Sequence, residues 1–250
     1  MLLQQGRLNF LTLDAVDALS AYFGALPQRP EVRLVELVAE GQNFCVGMDL
    51  KQPIDAVGDG PAYRIFSMKR FGGVVLNMRR APQPILVGIR GAASGGGLCI
   101  ALAADLRVAD SSAKFNTGVM KIGLSGAELG LSYLLPRIIG AGAAWDMAFT
   151  GRTVEAAEAL NLGLVSRLAE PSLLEDCIAA TSSQILASSN FGLHVTKDAM
   201  WIGLTANSLE TAMELEARNQ ALAFLTGDAA EGRDAFLAKR APRFSAKRWQ

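Results

Sequence analysis

Three consecutive glycines, Gly95, Gly96 and Gly97, are the residues of this sequence best suited to chemistry at the backbone. They follow a short apolar run, residues 85–89, and precede another, residues 98–104. Because glycine has no Cβ atom, a ligand can approach this backbone closely, and the first N–H groups of a helix that begins here have no intrahelical partner. Such a helix start favours negative charge. The alternative is a tight turn that only brings the helix close to its neighbours.

A second glycine turn, at Gly47, follows the apolar run of residues 32–38. If its backbone N–H groups converge with those of residues 95–97, two of them form an oxyanion hole, which stabilises the charge on a thioester oxygen during enolate formation. Nucleotide binding is a weaker interpretation, because residues 91–97 lack both the Lys-Ser/Thr ending of a phosphate loop and the G-x-G-x-x-G order. Ala92 also breaks the Gly-x-Ser-x-Gly pattern.

Hydrophobic periodicity predicts the elements that must position these two turns. Apolar residues at helical spacing predict helices over residues 13–23 and 65–79, and short apolar runs predict buried strands over residues 32–38, 85–89 and 106–109. In the second helix the predicted inward side chains are Ile65, Met68, Val75, Leu76 and Met78. Strands that alternate with helices indicate an α/β fold with functional residues at the strand ends.

From Thr153 onward the sequence is alanine-rich and helical in pattern. Helices are predicted over residues 154–161, 173–187, 195–201 and 209–224. Because no Pro/Ser-rich linker marks this tail off, we predict one core over residues 1–190, followed by a C-terminal helical oligomerisation region over residues 191–250.

The amino-acid composition excludes several classes of protein. Half of the 250 residues are apolar and 19% are charged, which excludes disorder, collagen and coiled coil. Since 24 basic residues balance 24 acidic ones, no bulk charge attracts nucleic acid or an acidic membrane. Three distant cysteines and a single histidine support neither a disulfide framework nor a Cys/His metal site. No apolar run reaches membrane length and the first residues lack the layout of a secretory signal, so we expect a cytoplasmic protein.

Two segments around the glycine turns resemble a known family. Residues 44–51, FCVGMDLK, resemble the F-C-x-G-x-D-[LI]-K segment of the enoyl-CoA hydratase/isomerase (crotonase) superfamily. Residues 84–97, PILVGIRGAASGGG, resemble its strand and triple-glycine turn. Further matches continue in order to the end of the chain, among them LLPR at residues 134–137, TGRT at residues 150–153 and EG at residues 231–232. The resemblance covers nearly the whole chain.

This resemblance implies an α/β fold, a crotonase-like spiral of β-β-α units with a helical C-terminal extension, that binds acyl-coenzyme A thioesters. Coenzyme A enters as part of the substrate; no other cofactor, no metal, no nucleic acid and no membrane is implied, and a homotrimer or homohexamer is expected. The resemblance assigns the oxyanion hole to the backbone N–H groups of Met48 and Gly96. It assigns contacts with coenzyme A to Asp49, Leu50, Phe236 and Lys239. For Lys239, a simple surface charge is the alternative.

The chain departs from the family's hydratases at their two catalytic glutamates, where it has Cys99 and Val119. Because those enzymes hold and deprotonate water with both acids, ordinary hydration is not expected at this location. Glu128 resembles in position the single acid with which some family isomerases move a proton along an enoyl-CoA. Burial would raise its pKa into the range of a proton shuttle. The alternative for Glu128 is a helix-start carboxylate or a solvated loop residue.

The sequence therefore predicts an acyl-CoA-binding enzyme that stabilises a thioester enolate and isomerises a double bond with one acid/base group. Hydration or decarboxylation with an unorthodox base, and a catalytically silent acyl-CoA binder, stay open as alternatives, as do the acyl chain and the pathway. Cys99 as a nucleophile is a weaker interpretation than Cys99 as a packed residue, because both neighbours are apolar. Seven residues precede the family-like turn at Leu8-Asn9-Phe10, fewer than the family has, so we expect either that the chain starts late or that one sheet edge is exposed.

Overall fold

The computed structural model describes residues 2–3, 6–49 and 60–245, which form two β-sheets and a set of surrounding helices. The strands are β1 (Leu2–Leu3), β2 (Val35–Ala39), β3 (Ile85–Ile89), β4 (Ala92–Ser94), β5 (Leu106–Asp110), β6 (Lys114–Asn116), β7 (Val154–Glu155) and β8 (Arg167–Ala169). The predicted strands at residues 85–89 and 106–109 are confirmed, whereas the strand predicted at residues 32–38 begins later, at Val35.

The helices surround these sheets and fill the C-terminal third of the chain. They are α1 (Leu13–Ala25), α2 (Pro61–Arg80), α3 (Gly96–Ala103), α4 (Leu131–Ile139), α5 (Ala141–Thr150), α6 (Ala156–Asn161), α7 (Leu174–Leu186), α8 (Asn190–Gly203), α9 (Leu209–Phe224) and α10 (Asp228–Leu237). Short 3₁₀ helices lie at Leu26–Gln28, Val119–Ile122 and Pro171–Leu173. No helix within the described ranges is long and apolar enough to cross a membrane.

The strands alternate between a parallel sheet and a smaller second sheet. The first has the order β1-β2-β3-β5-β8 and is parallel throughout, and the second has the order β4-β6-β7. The chain therefore passes from β3 to β4 to α3, and then from β5 to β6, which is one strand of each sheet per turn. This order confirms the predicted spiral of β-β-α units. β1 lies at the edge of the first sheet, where Leu3 is paired with Ala39.

Helix α3 explains why the glycine turn is so well fixed. All eight of its residues are buried, so the helix is apolar on every side and lies inside the molecule between its neighbours. Gly97 in its first turn has no room for a side chain, because an added Cβ atom would lie 2.2 Å from the carbonyl oxygen of Cys45. The loop that carries Gly47 therefore packs directly on the start of α3.

Helix α2 packs against α1, but with a different face from the one predicted. Its buried residues are Ser67, Phe71, Val74, Val75 and Met78. Ile65 and Leu76 were predicted to point inward and are instead 57% and 52% exposed. The prediction was wrong because α2 carries two apolar stripes, and periodicity alone cannot tell which of them meets α1. The second stripe faces an open groove beside the candidate site.

The C-terminal helices differ in how firmly they join the core. In α8, Lys197 Nζ lies 2.8 Å from Asp105 Oδ2, and Trp201 Nε1 donates to Asp105 Oδ1 at 2.7 Å, so one half-buried carboxylate ties this helix to the start of β5. In α9, by contrast, Asn219 is the buried residue. The predicted helix at residues 154–161 is wrong at its start, since Val154 and Glu155 form β7. The division at residue 190 and the oligomerisation role of the tail stay predictions.

Candidate functional site

The two glycine turns predicted from the sequence lie in direct contact. A Cβ atom added at Gly47 would lie 3.0 Å from the carbonyl oxygen of Ser94 and 3.3 Å from the backbone nitrogen of Gly96. Two backbone hydrogen bonds hold the turns together, since Cys45 N–H donates to the Ala92 carbonyl at 3.0 Å and Ser94 N–H donates to the Cys45 carbonyl at 3.0 Å. Gly47 has a φ of +84°, which favours glycine.

The backbone N–H groups of Met48 and Gly96 are available to a ligand. Gly96 is the first residue of α3, where the helix supplies no acceptor. The neighbouring groups are occupied: Gly95 N–H donates to the Asn116 carbonyl at 3.1 Å, and the Gly47 carbonyl accepts from Leu11 N–H at 2.9 Å. Within the described part of the chain, neither the Met48 nor the Gly96 N–H has a hydrogen-bond acceptor. Two unused donors on touching turns suit a single oxygen atom.

Both residues line one cavity of about 130 Å³, which we call the inner cavity. Glu128 lines the same cavity and is its ionisable residue; most of the remaining wall is apolar. The structure thus brings together Met48, Gly96 and Glu128, which the sequence assigned separately. Their roles in binding and catalysis stay predictions.

The carboxyl group of Glu128 is half-buried and forms no ion pair with a described residue. Its Oε1 atom would lie 3.4 Å from a Cβ atom added at Gly95, so the carboxyl group sits over the glycine turn. Among the described residues the carboxylate has neither a hydrogen-bond donor nor an ion-pair partner. Burial therefore raises the pKa of Glu128 above the usual value of a glutamate. A carboxyl group of this kind can accept and return a proton closer to neutral pH.

Cys99 and Val119 are the residues that the sequence resemblance assigns to the positions of the two hydratase glutamates, an assignment that stays a prediction. Cys99 is fully buried, and its Sγ lies 3.5 Å from the backbone carbonyl oxygen of Glu128. Burial, and secondarily the charge of Glu128, raise the pKa of the Cys99 thiol well above its usual value. A thiolate nucleophile is therefore disfavoured, in agreement with the packing interpretation. Val119 lines the inner cavity, with Cγ1 3.7 Å from a Cβ atom added at Gly95.

A wider groove of about 970 Å³ opens along α2 next to the inner cavity, and we call it the outer groove. Ile65 and Leu76 line it, which accounts for their exposure. The inner cavity and the outer groove share Met68, Leu124, Glu128 and Leu129. Glu128 therefore stands where the two spaces meet, within reach of a group that extends from one into the other.

Two residues of the inner cavity gave no signal in the sequence. Leu11 is buried, lines the cavity and places Cδ1 2.8 Å from where a Cβ atom of Gly96 would lie. Leu129 also lines the cavity, and it has a φ of +46°. An isolated leucine has no chemistry of its own, so only the folded chain shows that both belong to the site.

Of the residues assigned to coenzyme A, Asp49, Phe236 and Lys239 do not line these two spaces in the single chain. Asp49 is half-buried next to Met48, whereas Leu50 lies outside the described residues. Phe236, near the end of α10, and Lys239 after it are both exposed. All four assignments stay predictions.

The chain is similar to known proteins along nearly its whole length. A family model described as enoyl-CoA hydratase/isomerase matches residues 1–247. A probable enoyl-CoA hydratase of Mycobacterium tuberculosis is 39% identical over 96% of this chain and 86% of its own length. The 1,2-epoxyphenylacetyl-CoA isomerase of Escherichia coli is 32% identical over 96% of this chain and 92% of its own. A solved enoyl-CoA hydratase of Mycobacterium smegmatis is 32% identical, with a TM-score of 0.88 over 94% of this chain and 90% of that one.

Proposed function

This chain belongs to the enoyl-CoA hydratase/isomerase family, and we propose that it isomerises a double bond in an acyl-CoA thioester, with Glu128 as the acid/base group. One observation carries the proposal: the inner cavity joins two unused backbone N–H groups to a single carboxyl group that has no ion-pair partner in the described residues. By the family resemblance, Cys99 and Val119 occupy the positions of the two hydratase glutamates, so neither position supplies a second acid.

The backbone N–H groups of Met48 and Gly96 bind the thioester oxygen. As a proton leaves the α-carbon of a 3-enoyl thioester, negative charge moves onto that oxygen, and two fixed donors stabilise it more strongly than they stabilise the neutral ester. The start of α3 adds the partial positive charge of a helix N-terminus. Both donors are backbone groups on packed turns, so they need no rearrangement when the charge develops.

Glu128 moves the proton. Its carboxylate takes the α-proton to give a dienolate, and the carboxylic acid so formed returns the proton to the γ-carbon, which restores the charge on Glu128 and leaves a 2-enoyl thioester. The raised pKa of Glu128 suits both steps, because the same group must be a sufficient base and then a sufficient acid. One carboxyl group completes this cycle, whereas hydration also needs a group that holds and deprotonates water.

Hydration is the second candidate, because two of the relatives are named as hydratases. It would require Glu128 alone to activate a water molecule in a cavity whose walls are mostly apolar. Isomerisation needs no bound water and therefore suits an apolar wall better. One relative of this chain is also named as an isomerase. The reaction product, an isomerised enoyl-CoA or a 3-hydroxyacyl-CoA, distinguishes the two candidate reactions.

The test compares the native protein with Glu128→Gln, using a short 3-enoyl-CoA and the matching 2-enoyl-CoA in deuterated water. We expect the native protein to interconvert the two thioesters. The variant should lose about 10²–10⁴-fold in rate while its affinity for acyl-CoA changes little, since the amide keeps the shape of the carboxyl group. Glu170→Gln, which changes an exposed carboxylate outside both spaces, is the matched control and should behave as the native protein.

Each other outcome contradicts part of the proposal. An unchanged rate in Glu128→Gln removes Glu128 from the mechanism. A 3-hydroxyacyl product from the 2-enoyl-CoA identifies a hydratase, and saturable binding without turnover identifies a silent acyl-CoA binder. A protein that binds no acyl-CoA contradicts every version.

A further inference from the structure

Leu129 adopts a backbone conformation that leucine rarely takes. Leu129 has a φ of +46° and Gly130 a φ of +87°, and Leu131 N–H donates to the carbonyl of Glu128 at 2.7 Å. A hydrogen-bonded turn with two central residues at positive φ is a type I′ turn, in which glycine, asparagine and aspartate dominate. Gly130 suits its position. Leucine at the other position is strained, because its Cβ atom crowds the backbone in the left-handed region.

The side chain of Leu129 lies in the inner cavity, close to the backbone of Gly96 and next in the chain to Glu128. Its Cδ1 atom would lie 3.5 Å from a Cβ atom added at Gly96, and the residue lines both the inner cavity and the outer groove. It is also packed against the main hydrophobic core. Glu128 precedes it in the same turn, so the strained backbone places the carboxyl group and the apolar side chain together at the junction of the two spaces.

We propose that Leu129 is a positioning residue that keeps water away from the carboxyl group of Glu128. Strained backbone persists only where its surroundings demand it, and it clusters at functional sites. Here an unstrained glycine or asparagine would leave the junction open or polar, whereas leucine closes it with apolar atoms. The inference rests on the proposed proton transfer by Glu128. It explains how that proton is returned to the acyl chain instead of being lost to solvent.

The groups around Glu128 agree with this role. On the α3 side, the Cys99 thiol lies 3.5 Å from the backbone carbonyl oxygen of Glu128. On the side of the 3₁₀ helix at Val119–Ile122, Val119 and Ile122 line the same cavity as the carboxyl group. From α2, Arg64 and Lys69 line the outer groove together with Leu129. The pKa of Glu128 is raised by burial, and opening the junction to water would lower it.

The experiment replaces Leu129 with residues that suit its backbone. Leu129→Gly removes the side chain, and Leu129→Asn keeps a similar size but is polar; both relieve the left-handed strain. In both we expect the pKa of Glu128, followed by carboxyl carbon NMR without substrate, to fall toward the usual value. During turnover in deuterated water the fraction of product that carries deuterium should rise, and kcat should fall roughly tenfold, part of the contribution of general acid–base catalysis.

Two further variants separate water exclusion from ordinary packing. Leu129→Met restores an apolar cover and should keep the native pKa and deuterium fraction. Leu162→Asn changes a leucine that is packed against the same core away from the site, and should lower the Tm without changing the pKa of Glu128. A merely structural Leu129 would behave like Leu162, with a lower Tm and an unchanged pKa.

The inference is overturned if the pKa of Glu128 stays the same in Leu129→Gly and Leu129→Asn, or if Leu129→Met behaves like Leu129→Asn. The NMR measurement needs no turnover, so the two proposals can fail separately. A native protein without isomerase activity, in which the pKa still falls on substitution, contradicts the proposed function and supports the exclusion of water.

Discussion

The inner cavity has two halves that are built by different means. The amide half consists of the Met48 and Gly96 backbone on two touching glycine turns, and backbone hydrogen bonds fix both turns. The acid half consists of one side chain, Glu128, on a turn that Leu129 strains. The amide half is therefore rigid and depends on the absence of side chains. The acid half depends on which side chains are present.

The difference shows which half can change in evolution. Around the amide half, an added Cβ atom at Gly91 or Gly97 would lie 2.0 Å or 2.2 Å from a backbone carbonyl oxygen, so substitution there disrupts the fold. Around the acid half, by contrast, the side chains of Glu128 and Val119 line the inner cavity. A change there alters the cavity wall and adds no atom against the backbone. Backbone contacts therefore constrain the amide half, and side chains alone determine the acid half.

The larger of two expected effects in the amide half tests whether it acts through one hydrogen atom. Gly96→Pro removes the N–H group at the first position of α3, where a helix tolerates proline. Gly96→Ala adds a Cβ atom that meets the flexible end of Leu11 but keeps the N–H group. We expect kcat for Gly96→Pro to fall about 10²–10³-fold, or about 3–4 kcal/mol, relative to Gly96→Ala. Equal rates in the two variants would show that this N–H group does not bind the oxyanion.

The next effect tests the rigidity of the amide half. Gly97→Ala forces a Cβ atom against the Cys45 carbonyl and should lower the free energy of unfolding by about 1–3 kcal/mol or more, measured by denaturant titration. The matched control, Gly142→Ala in α5, has open space around the new Cβ atom and should raise stability by about 0.5–1 kcal/mol. A native-like Gly97→Ala variant would show that the contact between the two turns is loose.

The smallest effect concerns the acid half. Because burial raises the folded-state pKa of Glu128, the unfolded chain loses its proton at lower pH than the folded chain, and the native protein loses stability as pH rises through the folded-state pKa. Glu128→Gln should therefore be more stable than the native protein at about pH 8 and should show no such gain below about pH 4. Glu170→Gln, an exposed carboxylate, is the control. A gain that is the same at both pH values would contradict an effect of ionisation.

Much of the fold could be predicted because short-range patterns decide it. The strands at residues 85–89 and 106–109 are continuous apolar runs, and α9 occupies the predicted residues 209–224. The face of α2 could not be predicted, because Ile65 and Leu76 form an apolar stripe that borders a groove and not α1. The two-residue strand β7 was missed because pairing with β6, and not local preference, makes it a strand.

The amino-acid sequence by itself determined the α/β spiral, the two glycine turns and the presence of Cys99 and Val119 after the second turn, because each depends on residue type at a fixed place in the chain. Only the tertiary structure decided that Met48, Gly96 and Glu128 share one cavity, that Leu11 and Leu129 belong to its wall, and that the carboxyl group has no ion-pair partner among the described residues. These properties depend on distances between residues far apart in sequence, and burial and pKa follow from such distances.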